Sequence, residues 1–463
     1  MSTEREFDIV VIGVGMGGVT VAQKAARAGK RVAVVDSRPY GGTCALRGCD
    51  PKKVLVGAAE IVDWHTRMRG HGVTGTVGVD WSELTAHKES IIGAIPERME
   101  GMLGKLGVHT AHGPARFTGA DSVAVGEKEL TAESIVVAVG QKPRELTFPG
   151  AQFLATSTDF LELRELPKRI VFVGGGYISM EFAHVAARAG AEVTVIQRGD
   201  RILKGFDADL AQELAGASRE AGIDIRFESE VIEVTRSSGG SGDSDTGGSG
   251  SNGGYRVRTS GGDELAADLV VHGAGRMPEF DALDLGGGGI DFDPGAGIEV
   301  NEYLQSVSNP AVYAVGDSAH TTGAKLTPVA VHEGMIAASN ILKGNRKTPD
   351  YAGTPRVAFT VPALSRAGML ESEAREAGYN VTVNRGDMAA WYTARRTNEK
   401  HGSYKIVIDE DSGTILGAHL LGGQAGEVIN MFAMAIRAKM TAVDIKTGIF
   451  VHPAASSDIA YMV

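Results

Sequence analysis

Two cysteines are the residues of this sequence best suited to redox chemistry. Cys44 and Cys49 are the only cysteines among 463 residues, and they lie five positions apart. This spacing differs from the CxxC pairs of zinc sites, and two thiols are too few ligands, so we predict no metal. A turn at Gly48 could bring the two α-carbons within about 7 Å, the limit for a disulfide. Lys52 and Lys53 follow, and cations with a helix N-terminus favour a thiolate. We therefore predict a redox-active pair and not two inert buried cysteines.

A glycine-rich turn near the beginning of the chain has the pattern of a dinucleotide-binding loop. Gly13, Gly15 and Gly18 stand between the strand-like run 7–12 and a segment with helical spacing. Such glycines permit a tight turn, a close approach of backbone N–H groups to pyrophosphate, and close helix–strand packing. Asp36 ends the next predicted strand, where an acid binds ribose hydroxyls. We predict a bound dinucleotide, and the alternative is a glycine turn without a ligand.

The same strand–loop–helix plan recurs in the middle of the chain. The run 169–173 is followed by glycines and then by a segment with helical spacing. The second strand of this unit ends at Gln197 and not at an acid, with Arg198 and Lys204 close behind. Cations suit the 2′-phosphate of NADPH, whereas an acid would select NAD. We predict NADPH, and the alternative is that both cations are solvated surface residues.

Length and composition limit the fold and the function classes. A chain of 463 residues predicts about two to four domains. The net charge of −11 argues against a nucleic-acid or anionic-membrane partner, which would require a basic patch. The chain lacks a run of about 18 apolar residues, and its first seven residues are polar and acidic. We therefore expect a cytoplasmic protein without a transmembrane helix or a secretory signal.

Further motifs lie along the whole chain. They include the cysteine segment 41–53, the segment 275–278 that follows the second strand–loop–helix unit, the segments 314–317 and 326–330, and His452, which precedes a proline near the C-terminus. Together with the glycine loops, they resemble the class I pyridine nucleotide–disulfide oxidoreductases. That family includes glutathione reductase, dihydrolipoamide dehydrogenase and mercuric reductase. The resemblance covers nearly the whole sequence.

The resemblance implies an α/β fold with two Rossmann-like dinucleotide-binding domains, one for FAD and one for NADPH, and a C-terminal α+β dimerisation domain. The discontinuous FAD domain is expected at 1–147 and 271–345, and the NAD(P)H domain at 148–270. The dimerisation domain is expected at 346–463. Residues 236–254, almost wholly Ser, Gly, Asp, Asn and Thr, are predicted to be a disordered loop within the second domain.

The resemblance also implies roles for individual residues. Cys49 would be the thiol beside the flavin, Cys44 the thiol that exchanges with substrate, and His452 from the second subunit the acid/base. Lys52 would lie near flavin N5, paired with Glu181. The residues expected to bind FAD are Gly13, Gly15, Gly18, Asp36, Thr43, Lys52, Lys53, Ala115, Gly140 and Asp317. Those expected to bind NADPH are Gly174, Gly175, Gly176, Tyr177, Ile178, Glu181, Arg198, Lys204 and Gly275, with Tyr177 covering the flavin until nicotinamide displaces it.

These roles imply an NADPH-dependent FAD flavoprotein that reduces a low-molecular-weight disulfide. It would be a homodimer with shared active sites. One alternative is a dihydrolipoamide dehydrogenase, which normally carries an acid at the position of Gln197. A second alternative is a flavin redox sensor without turnover. Mercuric reductase is disfavoured because the chain has no second cysteine pair. His112, His184 and His419 are predicted to be structural or surface residues.

The chain departs from the family pattern at two functional places. The family usually has a glutamate that orients the histidine, and Ser457 stands at that position, followed by Asp458. We predict that Asp458 stays off the imidazole and that Ser457 or a backbone carbonyl orients His452. Met16 and Gln23 stand where glutathione reductases carry the serine and arginine that meet the tripeptide. This departure disfavours glutathione disulfide as the substrate.

Overall fold

The computed structural model describes residues 5–237 and 254–463, which divide into two compact units. The first comprises Met1–Pro51, Lys88–Arg144 and Arg276–Tyr351, and the second comprises Lys52–His87, Glu145–Gly275 and Ala352–Val463. Residues 238–253 of the predicted loop lie outside the described residues. The α/β fold class is confirmed, while the three-domain division with its boundaries stays a prediction.

A parallel sheet forms the centre of the first unit. In spatial order its strands are His109–His112, Val32–Asp36, Phe7–Ile12, Lys128–Val137 and Val312–Ala314. The first part of Lys128–Val137 also pairs with Ser122–Val125, which pairs with Ala115–Gly119, and both pairings are antiparallel. Ile9 packs into one buried cluster and Val10 into another, so Phe7–Ile12 is covered on both faces. This double burial explains its continuous apolar run.

Helices and short strands complete the first unit. Its helices include Met16–Arg27, Gly42–Arg47, Ile95–Lys105 and Thr327–Lys343, while Cys49–Met68 and Trp81–Ile92 each span a boundary between the units. The short strands are Gln141–Pro143 paired with Arg276–Pro278, and Phe292–Asp293, Gly297–Glu299 and Ala319–His320 in a small sheet.

The second unit contains a second parallel sheet and a large antiparallel sheet. The parallel sheet has the order Ile223–Arg226, Glu192–Ile196, Arg169–Val173 and Leu269–His272, beside the antiparallel strands Val231–Arg236, Tyr255–Thr259 and Glu264–Ala267. The five-stranded antiparallel sheet has the order Arg356–Ala358, Ala363–Gly368, Ile415–Gly422, Ser403–Asp409 and Val381–Asp387. In the core of the second unit, Phe160 stacks on Phe182, with 4.3 Å between ring centroids.

The helices of the second unit cover these sheets. They are Ser157–Leu161, Tyr177–Arg188, Ala208–Glu220, Glu371–Glu376, Tyr392–Arg395, Ala425–Arg437, Ala442–Lys446 and Ile459–Met462. Ile429 and Phe432 of Ala425–Arg437 pack with Ile406 and Leu420 of the antiparallel sheet. None of the helices in the described ranges is long and apolar enough to cross a membrane.

Candidate active site

The first glycine loop has the geometry that a pyrophosphate requires. Gly13 has a φ of +99°, and a Cβ there would lie 2.4 Å from the carbonyl oxygen of Ala138. At Gly18 a Cβ would lie 2.0 Å from the carbonyl oxygen of Gly13, so only glycine lets the helix approach the strand this closely. Helix Met16–Arg27 begins directly after Gly15 and has no acid in its first turn. Its positive end therefore favours an anion at the loop.

Asp36 is fixed at the same loop. Its Oδ2 accepts from the backbone N–H of Val14 at 2.7 Å, and its Oδ1 accepts from that of Arg38 at 2.9 Å. These bonds hold the carboxylate at the end of its strand, where a nucleotide ribose would lie.

The other residues of the first unit expected to bind FAD occupy different environments. Thr43 is exposed in helix Gly42–Arg47, and Ala115 is buried at the start of its strand. Gly140 has a φ of +71°, and its carbonyl accepts from the N–H of Glu279 at 3.2 Å. Their contribution to FAD binding stays a prediction.

Asp317 lies among charged residues that the sequence analysis did not select. Burial raises the pKa of its carboxyl, while the charges of Lys325 and Arg276 lower it. The ammonium of Lys325 donates to the carbonyl of Ala319 and is itself partly buried. The turn that carries Asp317 therefore holds a half-buried carboxylate with two cations near it.

Glu333 holds the turn that carries Asp317 by accepting hydrogen bonds. It lies on helix Thr327–Lys343 and is fully buried. Its carboxylate accepts from the N–H of Gly316 at 2.6 Å, from Thr321 Oγ1 at 3.0 Å and from the hydroxyl of Tyr351 at 2.6 Å. Burial raises the pKa of this carboxyl. An acid within an otherwise apolar helical face was the only sequence signal that could have found it.

The two cysteines are free thiols in consecutive helices. Cys44 is half-buried in helix Gly42–Arg47, and Cys49 begins helix Cys49–Met68 and is exposed. Cys49 Sγ lies 3.7 Å from Oγ1 of Thr327, the first residue of another helix. Two helix N-termini thus meet at Cys49 and favour a negative charge on its sulfur.

Cys44 has the opposite electrostatic setting. Its hydrogen bond to Cys49, its burial and the charge of Cys49 raise the pKa of the Cys44 thiol, whereas a hydrogen bond to Thr327 lowers it. Its thiol also donates to Asp50 Oδ1 at 4.0 Å. The pair is therefore asymmetric, with the proton held on Cys44 and negative charge favoured at Cys49. Asp50 was not among the residues selected from the sequence, although it directly follows Cys49.

Lys52 and Glu181 come together in the second unit. They form an ion pair in which the Glu181 side chain is 1% exposed. Glu181 Oε1 also accepts from the N–H of Phe359 at 2.8 Å. Lys53 is engaged separately, by Glu60 at 2.8 Å and over the ring of Phe359 at 4.6 Å. Nothing in these contacts of Lys53 indicates a part in binding FAD, and that role stays a prediction.

The second glycine loop, 174–176, is held by the residue that replaces an acid. Gln197 Oε1 accepts from the N–H of Gly175 at 2.9 Å, and its Nε2 donates to the carbonyl of Arg201 at 3.1 Å. Gln197 therefore fixes the loop without adding charge. Arg198 and Lys204 are exposed nearby, with the ammonium of Lys204 beside Gly199.

Tyr177 and Ile178 begin helix Tyr177–Arg188 behind this loop. The ring of Tyr177 packs edge-on against Phe206, with 5.4 Å between centroids. Burial raises the pKa of its hydroxyl to about 12, so the group stays neutral. Gly275, which was also expected to bind NADPH, has a φ of +115°.

His452 has no carboxylate bonded to it among the described residues. It is exposed, and its ring lies 6.5 Å from that of Tyr392 between centroids. Ser457 Oγ donates to the carbonyl of Ala454 at 2.7 Å, so Ser457 does not orient the imidazole as one of our alternatives expected. Asp458 accepts from the hydroxyl of Thr393. Burial raises the pKa of Asp458, while that bond and the charge of His452 lower it.

Comparison with family models decides which family the chain belongs to. Residues 7–334 match the model of the pyridine nucleotide-disulphide oxidoreductases, and residues 354–463 match the model of their dimerisation domain. The chain belongs to this family. The pyridine nucleotide-disulphide oxidoreductase resemblance inferred from the motifs is therefore confirmed.

Similar proteins of this oxidoreductase family span the whole chain. The glutathione reductase of Nostoc sp. is 32% identical over 472 residues, covering 99% of each chain. The dihydrolipoyl dehydrogenase of Haloferax volcanii is 31% identical over 468 residues, covering 96% of this chain and 93% of its own. The Cu(II) complex of the HOCl-induced flavoprotein disulfide reductase RclA from Escherichia coli superimposes with a TM-score of 0.86 at 28% identity, covering 99% of both chains.

As a pyridine nucleotide-disulphide oxidoreductase, the protein is an enzyme that uses FAD and NAD(P)H. The loop fits FAD, because a Cβ at Gly13 or Gly18 would collide with the backbone that forms this tight turn, and the turn leads into a helix N-terminus that favours phosphate. Residues 354–463 form the family's dimerisation domain. The described part of the chain contains no cluster of three or more potential metal ligands.

Two histidines predicted to be structural are buried. His184 bonds Ser218 Oγ at 2.9 Å and Arg188 at 3.0 Å, and burial holds its pKa well below the ordinary value. Burial lowers the pKa of His419 to about 4. His112 is exposed and bonds Glu100 at 2.9 Å.

Proposed function

We propose that this enzyme is an NADPH-dependent flavoprotein that reduces a low-molecular-weight disulfide through Cys44 and Cys49, as a homodimer with shared active sites. The asymmetry of the thiol pair carries the proposal. Cys49 lies where two helix N-termini favour a thiolate, and the pKa of Cys44 is raised. Thiol–disulfide exchange needs two sulfurs with different roles. One sulfur attacks the substrate, and the other breaks the resulting mixed disulfide.

When bound at the first glycine loop, FAD would supply the two-electron chemistry that links the nicotinamide to the cysteine pair. The chain's own residues govern the exchange with substrate. The Cys44 sulfur attacks the substrate disulfide and forms a mixed disulfide, releasing the first thiol. The Cys49 thiolate then attacks Cys44 Sγ, closes the Cys44–Cys49 disulfide and releases the second thiol. His452 of the second subunit protonates the first leaving sulfur, a role that suits imidazole near neutral pH.

The ion pair of Lys52 and Glu181 would hold the Lys52 ammonium in one position. Glu181 is buried and bonded to the backbone of Phe359, so the position of its partner ammonium is fixed. A fixed cation stabilises negative charge without reorganisation during the reaction.

The nucleotide preference is a direct prediction from Arg198 and Lys204. We expect kcat/KM for NADPH to exceed that for NADH by about tenfold or more, or about 1.4 kcal/mol, because both cations are exposed beside the second glycine loop. Arg198→Glu should remove most of this preference. Lys168→Glu makes the same charge change at another exposed position of the same unit and should leave it intact. Equal kcat/KM values for the two nucleotides in the wild-type enzyme would contradict the prediction.

A panel of disulfides tests the function itself. NADPH oxidation is measured with glutathione disulfide, cystine, lipoamide and hydroxyethyl disulfide. We expect steady consumption with at least one of them and poor use of glutathione disulfide, because Met16 and Gln23 cannot supply a hydroxyl and a guanidinium. Faster turnover of lipoamide with NADH would establish the dihydrolipoyl dehydrogenase alternative. No turnover with any disulfide would favour the sensor alternative.

A further inference from the structure

A carboxylate lies beside the thiol that we assign to substrate exchange. Asp50 is the second residue of helix Cys49–Met68, and its Oδ1 lies 4.0 Å from Cys44 Sγ, with the thiol as donor. This contact is the one hydrogen bond that the Asp50 side chain makes within the described residues, and no cation there pairs with it. The side chain is exposed, so a substrate that reaches Cys44 also reaches Asp50.

Within the described residues, His452 has no carboxylate that is hydrogen-bonded to it in the way that Asp50 is bonded to Cys44. Within the described part of the chain, Ser457 and Asp458 bond Ala454 and Thr393, and neither makes a hydrogen bond to His452. Among the described residues, Asp50 is the carboxylate that makes a hydrogen bond to one of the two cysteines. Disulfide reduction has two leaving sulfurs, and each alkyl thiolate leaves more easily when it receives a proton.

We propose that Asp50 is a catalytic residue that takes the proton of Cys44 and returns it to the second leaving sulfur. The proposal rests on the function proposed above. When Cys44 attacks, its S–H bond breaks, the proton moves to the Asp50 carboxylate, and the bond between Cys44 Sγ and the substrate sulfur forms. The first thiol leaves with a proton from His452.

In the second step, the Cys49 thiolate attacks Cys44 Sγ and breaks the bond to the remaining substrate sulfur. That sulfur was joined to Cys44 Sγ, so it lies within reach of the Asp50 carboxyl and takes its proton. In sum, the two cysteines are oxidised to a disulfide, the substrate disulfide is reduced to two thiols, and the protons of Cys44 and His452 account for both S–H bonds.

The electrostatics of the pair agree with this exchange. The charge of Asp50 contributes to the raised pKa of Cys44, which keeps the proton available until the attack. Although Asp50 is exposed, partial desolvation at the start of its helix raises the pKa of its carboxyl, which narrows the difference from the pKa of the thiol and favours transfer between them.

Asp50→Asn tests the proposal with two substrates of different leaving groups. Hydroxyethyl disulfide releases alkyl thiolates that need protons, whereas dithiobis-nitrobenzoate releases aromatic thiolates that leave unprotonated. We expect turnover of hydroxyethyl disulfide to fall at least about tenfold, with a mixed disulfide on Cys44 accumulating in intact-mass spectra. Turnover of dithiobis-nitrobenzoate should change less than about threefold.

Two matched variants accompany this measurement. Glu127→Gln removes one exposed carboxylate elsewhere in the first unit and should leave both rates unchanged. Asp50→Glu keeps a carboxyl beside the sulfur and should restore part of the hydroxyethyl disulfide rate. FAD content and dimer size of each variant report folding separately.

If Asp50 acted only through its charge, Asp50→Asn would change the turnover rates in the opposite direction. If Asp50 only opposes a charge on Cys44, Asp50→Asn increases the thiolate fraction and accelerates both substrates, which would overturn the proposal. An equal loss with both substrates would also overturn it. Failure of the disulfide-reductase function itself looks different, because the wild-type enzyme would then reduce neither disulfide with NADPH.

Discussion

Cys44→Ser is expected to abolish steady disulfide reduction, lowering kcat at least about a thousandfold, because serine cannot form the mixed disulfide. The same variant should still be reduced by NADPH and should show a long-wavelength absorbance band. That band requires a thiolate against the flavin, and the meeting of two helix N-termini at Cys49 favours a thiolate there.

Cys49→Ser is the matched variant for this assignment. It should lose turnover equally and lack the long-wavelength band, because serine replaces the sulfur at which two helix N-termini favour a thiolate. Both spectra are recorded on the oxidised variants before NADPH is added, with FAD content as the control for folding. A band in Cys49→Ser that is absent from Cys44→Ser would reverse the roles of the two cysteines.

The parts of this molecule that depend on local sequence were predictable. Phe7–Ile12 and Arg169–Val173 have the predicted bounds, because each is a short apolar run ended by glycines. The thiol pair was also predictable, since Gly48 separates two helices and places both cysteines at one turn. In these cases the residues that determine the structure are neighbours along the chain.

The residues that were missed depend on contacts between distant segments. Glu333 is 17 positions from Gly316, whose N–H it accepts, and its burial could not be inferred from one helix alone. Lys325 is important only because the half-buried Asp317 lies near it. Asp50 is adjacent to Cys49 but contacts Cys44, and that contact depends on how Gly48 redirects the chain. Pairings of this kind are set by tertiary structure and leave no periodic signal in the sequence.

Substitution of His452 is the second change from which we expect a large loss of activity. His452→Gln should lower kcat for hydroxyethyl disulfide about a hundredfold or more, because glutamine cannot donate a proton to the first leaving sulfur. No mixed disulfide on Cys44 should accumulate, since the step before it is slowed. Reduction of the enzyme by NADPH should be unchanged, which is measured separately in a stopped-flow spectrometer.

Asp458→Asn should change the same kcat by less than about threefold, under about 1 kcal/mol of barrier. The reason is that the Asp458 carboxylate bonds the hydroxyl of Thr393, and an asparagine oxygen can accept the same bond. Its charge acts on His452 only at a distance, and water weakens that effect at an exposed imidazole. Thr393→Val is the matched variant, because it releases the carboxylate from its present partner. A loss in Asp458→Asn as large as that in His452→Gln would mean that Asp458 swings onto the imidazole in the dimer and replaces the family's glutamate.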